Sequence, residues 1–160
     1  MIHKVNHKPY RPCVGLLVIN VEGLIFAGKR MDSNSKAWQL PQGGIEKGES
    51  ILDAGLREMK EEIGTNNVTF IGEMEEWLKY DLPKNLIYRL WDGRYRGQTQ
   101  KWLAYKFLGE DKEININTKN PELSDWKWIN ANELPELAIP FKREIYKKVL
   151  KTYSKYLKLN

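Results

Sequence analysis

Apolar positions along this chain of 160 residues fall into runs that are typical of buried strands. Residues 13–20 form a nearly continuous apolar run, and residues 24–30 follow it across a turn that contains Gly23. Such a pair predicts a buried β-hairpin. Further extended segments are predicted at residues 38–41, 68–80, 86–91, 101–108, 114–117 and 126–129.

Two segments instead have the 3.6-residue spacing of amphipathic helices. In residues 50–63 one apolar stripe, which we expect to face the core, consists of Leu52, Leu56, Met59 and Ile63. In residues 141–157 apolar side chains recur at steps of four, as Phe141, Ile145, Val149 and Tyr153. Strands before and after one central helix, with a second helix at the end, predict an α/β fold whose sheet lies between helical layers.

The composition indicates one folded domain that covers residues 1–160. The mass is 18.8 kDa, and hydrophobic residues at 41% with charged residues at 29% exclude an intrinsically disordered chain. The apolar run at 14–27 is interrupted by Asn20 and Glu22 and is too short to span a bilayer, so we expect no membrane partner. The single cysteine, Cys13, cannot form an internal disulfide, which favours a reducing cytoplasm.

Positive charge is concentrated towards the C-terminal end of the chain. Residues 141–160 carry seven basic side chains and one acidic side chain, and the whole chain has a formal charge of +5. The basic helix, residues 141–158, could keep the protein in solution, or it could attract a polyanion such as RNA. The sequence leaves both interpretations open.

Carboxylates cluster on the first predicted helix, roughly opposite its apolar stripe. Glu58, Glu61 and Glu62 stand at helical spacing, and Glu49 enters from the preceding loop. Like charges at these spacings repel by about 0.2–0.5 kcal/mol per pair. The cluster is either a solvated helix face or a site for a hard divalent cation such as Mg²⁺, which takes oxygen ligands. Arg57, four residues before Glu61, could orient that carboxylate.

The complete spacing favours the cation site, through the resemblance that it carries. It consists of Gly43, Glu49, the pair Arg57-Glu58, the pair Glu61-Glu62, and Gly64. This pattern resembles the Nudix box of hydrolases that split a nucleoside diphosphate linked to another group, and its one departure is Thr65, where the family usually has an aliphatic residue. The resemblance implies a Nudix-type α/β/α sandwich with a mixed β-sheet. It also implies a divalent metal cofactor, with Mg²⁺ expected first and Mn²⁺ or Zn²⁺ as alternatives.

Segments outside the box resemble one branch of that family. They are residues 10–12, 38–44, 80–83, 98–102, 126–128 and 141–143. The branch comprises bacterial RNA pyrophosphohydrolases and the asymmetric diadenosine tetraphosphate hydrolases of plants and bacteria. Residues 89–93, with Gly97 and Gln98, are more similar to the dinucleotide-cleaving members.

The resemblance assigns the metal and catalytic residues one at a time. Glu58, Glu61 and Glu62 match the metal-binding glutamates, and Gly43 matches a glycine whose backbone carbonyl is a further ligand. Glu122 matches a loop glutamate that completes metal binding or acts as the base, unless it is only a solvated turn residue. The implied catalytic set is therefore Arg57, Glu58, Glu61, Glu62 and Glu122. Which glutamate is the base stays open, because a carboxylate can serve as ligand or as base.

The resemblance also implies a set of substrate-binding residues. They are Arg11, Arg30, Tyr80, Ile139, Phe141 and Lys142. Three of these, Arg11, Arg30 and Lys142, match basic groups near the phosphates or the RNA, where charge-assisted hydrogen bonds are strong. Phe141 matches an aromatic residue near the bound base, although it could equally be a core residue of the last helix.

The activity that the resemblance implies is that of a metal-dependent pyrophosphohydrolase, which we expect to be a monomer. On 5′-triphosphorylated RNA, the first expected substrate, the products would be pyrophosphate and a 5′-monophosphate end, which promotes mRNA decay. On diadenosine tetraphosphate, the alternative substrate among dinucleoside polyphosphates, they would be ATP and AMP. The first non-enzymatic alternative is an inactive nucleotide- or RNA-binding module with this fold, and such modules usually lack box glutamates or the arginine. The second is a basic RNA-binding protein that relies on the last helix.

Overall fold

The structure, a computed structural model, describes residues 7–31 and 36–158. Within these residues there are seven strands: β1 Tyr10–Ile19, β2 Ile25–Arg30, β3 Gln42–Gly44, β4 Val68–Glu73, β5 Leu78–Asp81, β6 Gly97–Phe107 and β7 Leu123–Ile129. The described residues also form four α-helices: α1 Ile51–Ile63, α2 Lys84–Ile87, α3 Leu134–Leu137 and α4 Arg143–Thr152. The expected single domain, residues 1–160, includes residues 1–6, 32–35 and 159–160, which lie outside the described part.

The strands form one mixed sheet in the order β4-β6-β1-β2-β7, with β3 also paired to β1 and β5 also paired to β6. Strands β1 and β6 run parallel, from Tyr10 opposite Gly97 to Ile19 opposite Lys106. The predicted hairpin of β1 and β2 is confirmed, with Ile19 opposite Ile25. Every residue of β1 from Cys13 to Ile19 is buried. A strand that is covered on both faces needs such a continuous apolar run.

Helices cover both faces of the sheet. On one face α1 packs over a core that includes Leu16, Val18, Phe26, Met59 and Leu103. On the other face α3 and α4 pack over a second core that includes Leu17, Trp102, Leu134, Tyr146 and Val149. The predicted α/β/α sandwich with a mixed sheet is therefore confirmed. Among the described residues, none of the helices combines the length and the apolar character that crossing a membrane requires.

Helix α1 begins and ends where the sequence predicts. The Ser50 hydroxyl accepts a hydrogen bond from the backbone N–H of Asp53 at 3.0 Å, which caps the first turn. Gly64 ends the helix with φ 83°, and its N–H donates to the carbonyl of Lys60 at 3.1 Å. Glycine adopts this left-handed conformation without a steric penalty.

The predicted buried stripe of α1 is wrong in its first half. Met59 and Ile63 are buried, but Leu52 is 48% exposed and Leu56 is 40% exposed. The helix instead presses Gly55 against the sheet, where an added Cβ would lie only 2.5 Å from Leu103. This close approach rotates the helix relative to the prediction. As a result Glu58 and Glu62, which were expected on the solvent side, are buried.

Two predicted strands are absent from the described residues. In residues 86–91 the chain instead forms α2 and a 3₁₀ turn at Trp91–Gly93, because Pro83 starts the helix and the φ angles of Trp91 and Asp92 are 51° and 57°. Positive φ is incompatible with a strand. Residues 114–117 also form no strand. There the N–H of Asn115 donates to the carbonyl of Ile63 at 2.8 Å, so this segment packs against the end of α1.

Two further boundaries differ from the prediction. The single extended segment expected at residues 68–80 is divided into β4 and β5, which both pair with β6. The predicted helix of residues 141–158 is a 3₁₀ turn at Pro140–Lys142, then α4, then a second 3₁₀ turn at Ser154–Tyr156. The chain leaves the helix at Tyr153 and turns back, so that the N–H of Lys158 donates to the carbonyl of Gly23 at 2.9 Å. Ile145, Val149 and Tyr153 are buried as predicted.

Candidate active site

A pocket of about 420 Å³ opens between the sheet, the start of α4 and the loop that holds α2. Nine of the predicted site residues line it: Arg11, Arg30, Gly43, Glu58, Tyr80, Glu122, Ile139, Phe141 and Lys142. The other three, Arg57, Glu61 and Glu62, belong to α1 and do not form its wall. The structure thus brings together residues from seven separate parts of the sequence.

Glu58 reaches the pocket across β3. The residue is only 5% exposed, and its carboxylate lies directly over Gly43. A Cβ at Gly43 would collide with the carboxylate of Glu58, so glycine is required for this carboxylate to occupy its position. Burial raises the pKa of Glu58 to about 7, while Arg57 acts in the opposite direction.

Arg57 joins the loop before α1 to the glutamates. Its Nε and Nη2 donate to the two carboxylate oxygens of Glu49 at 2.8 and 2.9 Å. Nη2 also donates to the carbonyl of Gly44 at 2.8 Å. Nη1 donates to Glu58 at 2.8 Å and to Glu61 at 3.2 Å, which confirms the predicted contact of Arg57 with Glu61. These hydrogen bonds lower the pKa of Glu49 to about 2.

Glu62 is the deepest carboxylate of the site, with 2% of its surface exposed. Among the described residues its Oε2 atom is buried without a hydrogen-bond partner. Burial raises the pKa of Glu62 well above its ordinary value, and the adjacent carboxyl of Glu122 raises it further. Two carboxyl groups in contact repel each other when both are ionised. The pair therefore needs a shared proton or a bound cation.

The oxygen groups fit a hard divalent cation in two respects. First, Glu62 has a buried oxygen without a hydrogen-bond partner among the described residues, and it lies beside Glu122. Second, the carboxylate of Glu58 lies against the backbone of Gly43, so a side-chain oxygen and a backbone carbonyl are close together. Carboxylates and backbone carbonyls are the ligands that Mg²⁺ takes. Within the described residues, however, no group of three or more acidic, His or Cys side chains has the arrangement of a metal site. One reason is that Arg57 pairs with Glu58 and Glu61, and Glu61 points to solvent with its side chain 55% exposed.

The pocket is also lined by basic residues. Lys142 is only 7% exposed, and its Nζ donates to Oε1 of Gln39 at 3.4 Å. Burial lowers the pKa of Lys142 to about 8, and Arg30 nearby lowers it further. The guanidinium of Arg11 packs over Gly44 and lies 5.2 Å from the centre of the Trp91 ring. These cations and the carboxylates of Glu58 and Glu122 line the same cavity.

Aromatic and apolar side chains form the remaining wall. The rings of Tyr80 and Phe141 lie 5.3 Å apart at an interplanar angle of 40°. Phe141 is half-buried and lines the pocket together with Ile139, so it is a site residue as well as a neighbour of the core. Aromatic side chains that line a pocket suit stacking of a nucleobase.

Sequence reasoning did not assign several residues that line the pocket. They are Ala37, Trp38, Gln39, Gln42, Gly44, Leu82, Leu86, Leu90, Trp91 and Gln98. Gln42 and Gln98 could have been found, because a buried strand with a polar side chain on its core face needs a reason for that side chain. Trp91 offered no such signal, since its position depends on backbone angles that tryptophan rarely adopts.

Comparison with known proteins gives matches along nearly the whole chain. The family model described as NUDIX domain matches residues 9–149. The chain is 50% identical to the RNA pyrophosphohydrolase of Cereibacter sphaeroides over 151 residues, and this alignment covers 93% of each chain. It is 49% identical to the RNA pyrophosphohydrolase of Wolbachia pipientis over 154 residues, which are 96% of this chain and 94% of that one. It is also 49% identical to the RNA pyrophosphohydrolase of Orientia tsutsugamushi over 156 residues, which are 98% of this chain and 97% of that one.

Solved structures show the same fold at low sequence identity. The dihydroneopterin triphosphate pyrophosphohydrolase of E. coli superposes with a TM-score of 0.68 at 19% identity, over 91% of this chain and 99% of that chain. An Ap4A hydrolase of C. elegans, solved as a binary complex, superposes with a TM-score of 0.67 at 18% identity, over 91% and 98%.

Proposed function

This chain belongs to the NUDIX domain family, and from that premise we propose that it is a metal-dependent pyrophosphohydrolase acting on the 5′ end of triphosphorylated RNA. The observation that carries the proposal is one pocket lined by the carboxylates of Glu58 and Glu122 and by the cations of Arg11, Arg30 and Lys142. A polyphosphate ester needs both, because its charge must be bound while water attacks phosphorus. The names of the relatives that are about 50% identical support RNA as the substrate.

We assign the metal site to Glu58, Glu62 and Glu122 together with the backbone carbonyl of Gly43. A divalent cation there supplies charge neutralisation at the phosphate oxygens and lowers the pKa of a bound water. Mg²⁺ is the expected ion, because all of these ligands are oxygens. Glu61, which is exposed and paired with Arg57, is a further candidate ligand once that ion pair opens.

Phosphate binding and proton transfer are assigned to different residues of the chain. Arg11, Arg30 and Lys142 bind the phosphates through charge-assisted hydrogen bonds. One of the glutamates Glu61, Glu62 and Glu122 accepts the proton of the attacking water, since a carboxylate can serve as ligand or as base.

Two further groups act by positioning rather than by proton transfer. Arg57 holds Glu58 and the loop at Glu49, so it acts through other groups. The aromatic side chains of Tyr80 and Phe141 position the substrate by contact with a nucleobase.

The direct test is incubation of the purified protein with Mg²⁺ and a short 5′-triphosphorylated RNA. We expect release of pyrophosphate and a 5′-monophosphate end, and loss of both in excess chelator. Turnover that persists in chelator would contradict the metal assignment. Binding of the RNA without any cleavage would instead support the alternative of an inactive binding module.

The second candidate is an asymmetric dinucleoside polyphosphate hydrolase, which would convert diadenosine tetraphosphate into ATP and AMP. The aromatic pair of Tyr80 and Phe141 supports it, because one adenine could stack there while the phosphates reach the glutamates. Running diadenosine tetraphosphate beside the RNA separates the two activities by their kcat/KM values. RNA as substrate also supports the cytoplasmic location that we propose for this chain.

A further inference from the structure

A chain of buried hydrogen bonds lies under the floor of the pocket. Nε1 of Trp102 donates to Oε1 of Gln100 at 3.1 Å. Nε2 of Gln100 donates to Oε1 of Gln42 and to Oε1 of Gln98, both at 2.7 Å. Trp102 is 0% exposed, Gln100 and Gln98 are 1% exposed, and Gln42 is 9% exposed. Four polar groups are thus joined where water does not reach most of them.

The indole at one end fixes the direction of every bond in this chain. An indole N–H can only donate, whereas an amide has one oxygen that accepts and one nitrogen that donates twice. Gln100 must therefore point its oxygen at Trp102 and its nitrogen at the other two glutamines. Both of its N–H groups are then used, and the oxygens of Gln42 and Gln98 are the acceptors. The nitrogens of Gln42 and Gln98 are left to serve as donors elsewhere.

Those two nitrogens belong to residues that line the pocket, whereas Gln100 and Trp102 do not. Gln98 stands opposite Arg11 in the pairing of β6 with β1, and opposite Tyr80 in the pairing of β6 with β5. Burial raises the pKa of Tyr80, and the nearby amide of Gln42 opposes that rise, as a donor would. Within the described residues, the nitrogen of Gln98 donates to no protein group.

We propose that Gln98 is a substrate-binding residue whose amide nitrogen donates to a phosphate oxygen, and that Gln100 is the positioning residue that holds it in this orientation. The inference rests on the proposed function, since it takes the pocket to hold a polyphosphate beside Arg11. Phosphate oxygens accept hydrogen bonds and carry negative charge. An amide in the opposite orientation would present its own oxygen and repel them. The relay from Trp102 excludes that orientation.

The first test uses the wild-type protein, labelled with ¹⁵N at glutamine side chains, and inorganic triphosphate without divalent cations. We expect the side-chain NH₂ signals of Gln98 to shift on titration, and those of Gln100 to shift much less. The spectrum of Gln98→Leu assigns the signals. Saturable binding of triphosphate that leaves the Gln98 signals in place would overturn the proposal.

The second test is kinetic. Gln98→Leu removes the donor at similar volume, and we expect KM for triphosphorylated RNA to rise about tenfold, the scale of a hydrogen bond to a charged group. Thr99→Val is the matched control, because Thr99 is the next residue of β6 and does not line the pocket. It should leave KM and kcat unchanged. An unchanged KM for Gln98→Leu would contradict the assignment.

The third test addresses Gln100, which does not touch the substrate. Gln100→Met keeps the volume but removes the hydrogen bonds that orient Gln98. We expect KM to rise with a smaller change in kcat, and the response of the Gln98 signals to triphosphate to shrink. A lower melting temperature with both of these readouts unchanged would show a structural role only. If this variant fails to fold, the titration of the wild-type protein still decides the assignment of Gln98.

These outcomes are separate from the test of the proposed function. A wild-type protein that releases no pyrophosphate from RNA would refute that function, while the titration with triphosphate would still show whether Gln98 binds phosphate. A wild-type protein that releases pyrophosphate, with a Gln98→Leu variant of unchanged KM, would refute this inference alone.

Discussion

Glu62 shows how a single residue can be costly for the fold and necessary for the proposed reaction. It is nearly fully buried, and one of its oxygens has no hydrogen-bond partner among the described residues. A buried carboxylate without compensation destabilises the folded state. We therefore expect Glu62→Gln to retain or increase the free energy of unfolding, while pyrophosphate release falls at least about 100-fold, as for loss of an acid–base group.

Urea unfolding and a pyrophosphate assay on the same preparation check this prediction. Glu144→Gln is the control, since Glu144 is an exposed glutamate whose side chain pairs with Lys147 on α4. It should change neither measurement. Full turnover by Glu62→Gln would remove this residue from the mechanism.

Glu122 is exposed and stands one residue before β7. Its side chain lines the pocket, and its carbonyl accepts a hydrogen bond from the N–H of Met31 at 2.8 Å, which a substitution would keep. We expect Glu122→Ala to lower kcat at least about tenfold without changing stability. Steady-state kinetics and a melting curve measure this, with the exposed Glu76→Ala as control. If the rate and KM are both unchanged, Glu122 is a solvated turn residue.

At the scale of single residues, the sequence predicted which residues meet in the pocket better than it predicted the hydrogen bonds beneath the pocket. Spacing and resemblance together identified Glu58, Glu122 and Lys142, which the structure brings to one pocket. The amide of Gln98 was missed because its role depends on Trp102 and Gln100, and the orientation of a hydrogen-bonded chain is not a property of spacing.

Among the elements, the orientation of α1 depends on how closely the helix approaches the sheet at Gly55. Replacing glycine by alanine in a helix gains roughly 0.5–1 kcal/mol of propensity. Here, however, the new Cβ would lie 2.5 Å from Leu103 and 2.8 Å from the hydroxyl of Tyr105. Overpacking of this kind costs about 1–3 kcal/mol, and Leu103 is fully buried, so it cannot move away easily.

We therefore expect Gly55→Ala to destabilise the protein by about 1 kcal/mol or more, although alanine favours helices. Chemical denaturation measures the difference, and Lys60→Ala on the exposed face of α1 is the control. A more stable Gly55→Ala protein would show that the helix can move away from the sheet without loss.

The elements that the sequence predicted well are those with local signals. Ser50 and Gly64 mark the ends of α1, and the apolar run of β1 marks a central strand. The predicted strand at residues 86–91 failed because the positive φ angles of Trp91 and Asp92 have no sequence signal. The stripe on α1 failed because Leu56 and Met59 are equally apolar in sequence, and only the contact of Gly55 with the sheet decides which one is buried.

On the scale of the whole molecule, α4 carries positive charge away from the pocket towards the basic C-terminal end of the described chain. Lys142 lines the pocket just before α4, whereas Lys147, Lys148 and Lys151 are exposed along the helix. An RNA has phosphates beyond its reacting end, but a dinucleoside polyphosphate ends at its second nucleoside. Only RNA can therefore reach along this helix.

We expect reversal of Lys147, Lys148 and Lys151 to glutamate to raise KM for triphosphorylated RNA and to leave cleavage of diadenosine tetraphosphate nearly unchanged. The salt dependence of RNA binding should also weaken, by about 0.7 log unit per log unit of salt for each phosphate of the single strand that the variant no longer neutralises. Reversal of the exposed Lys60, Lys106 and Lys112 gives the same net charge away from α4, so it controls for long-range repulsion. Measuring kcat/KM for both substrates at several salt concentrations tests this prediction. A proportional loss of both activities would contradict the role of α4 in choosing RNA. No loss of either activity would also contradict it, and would mean that α4 is a solvated face and favour the dinucleotide as substrate.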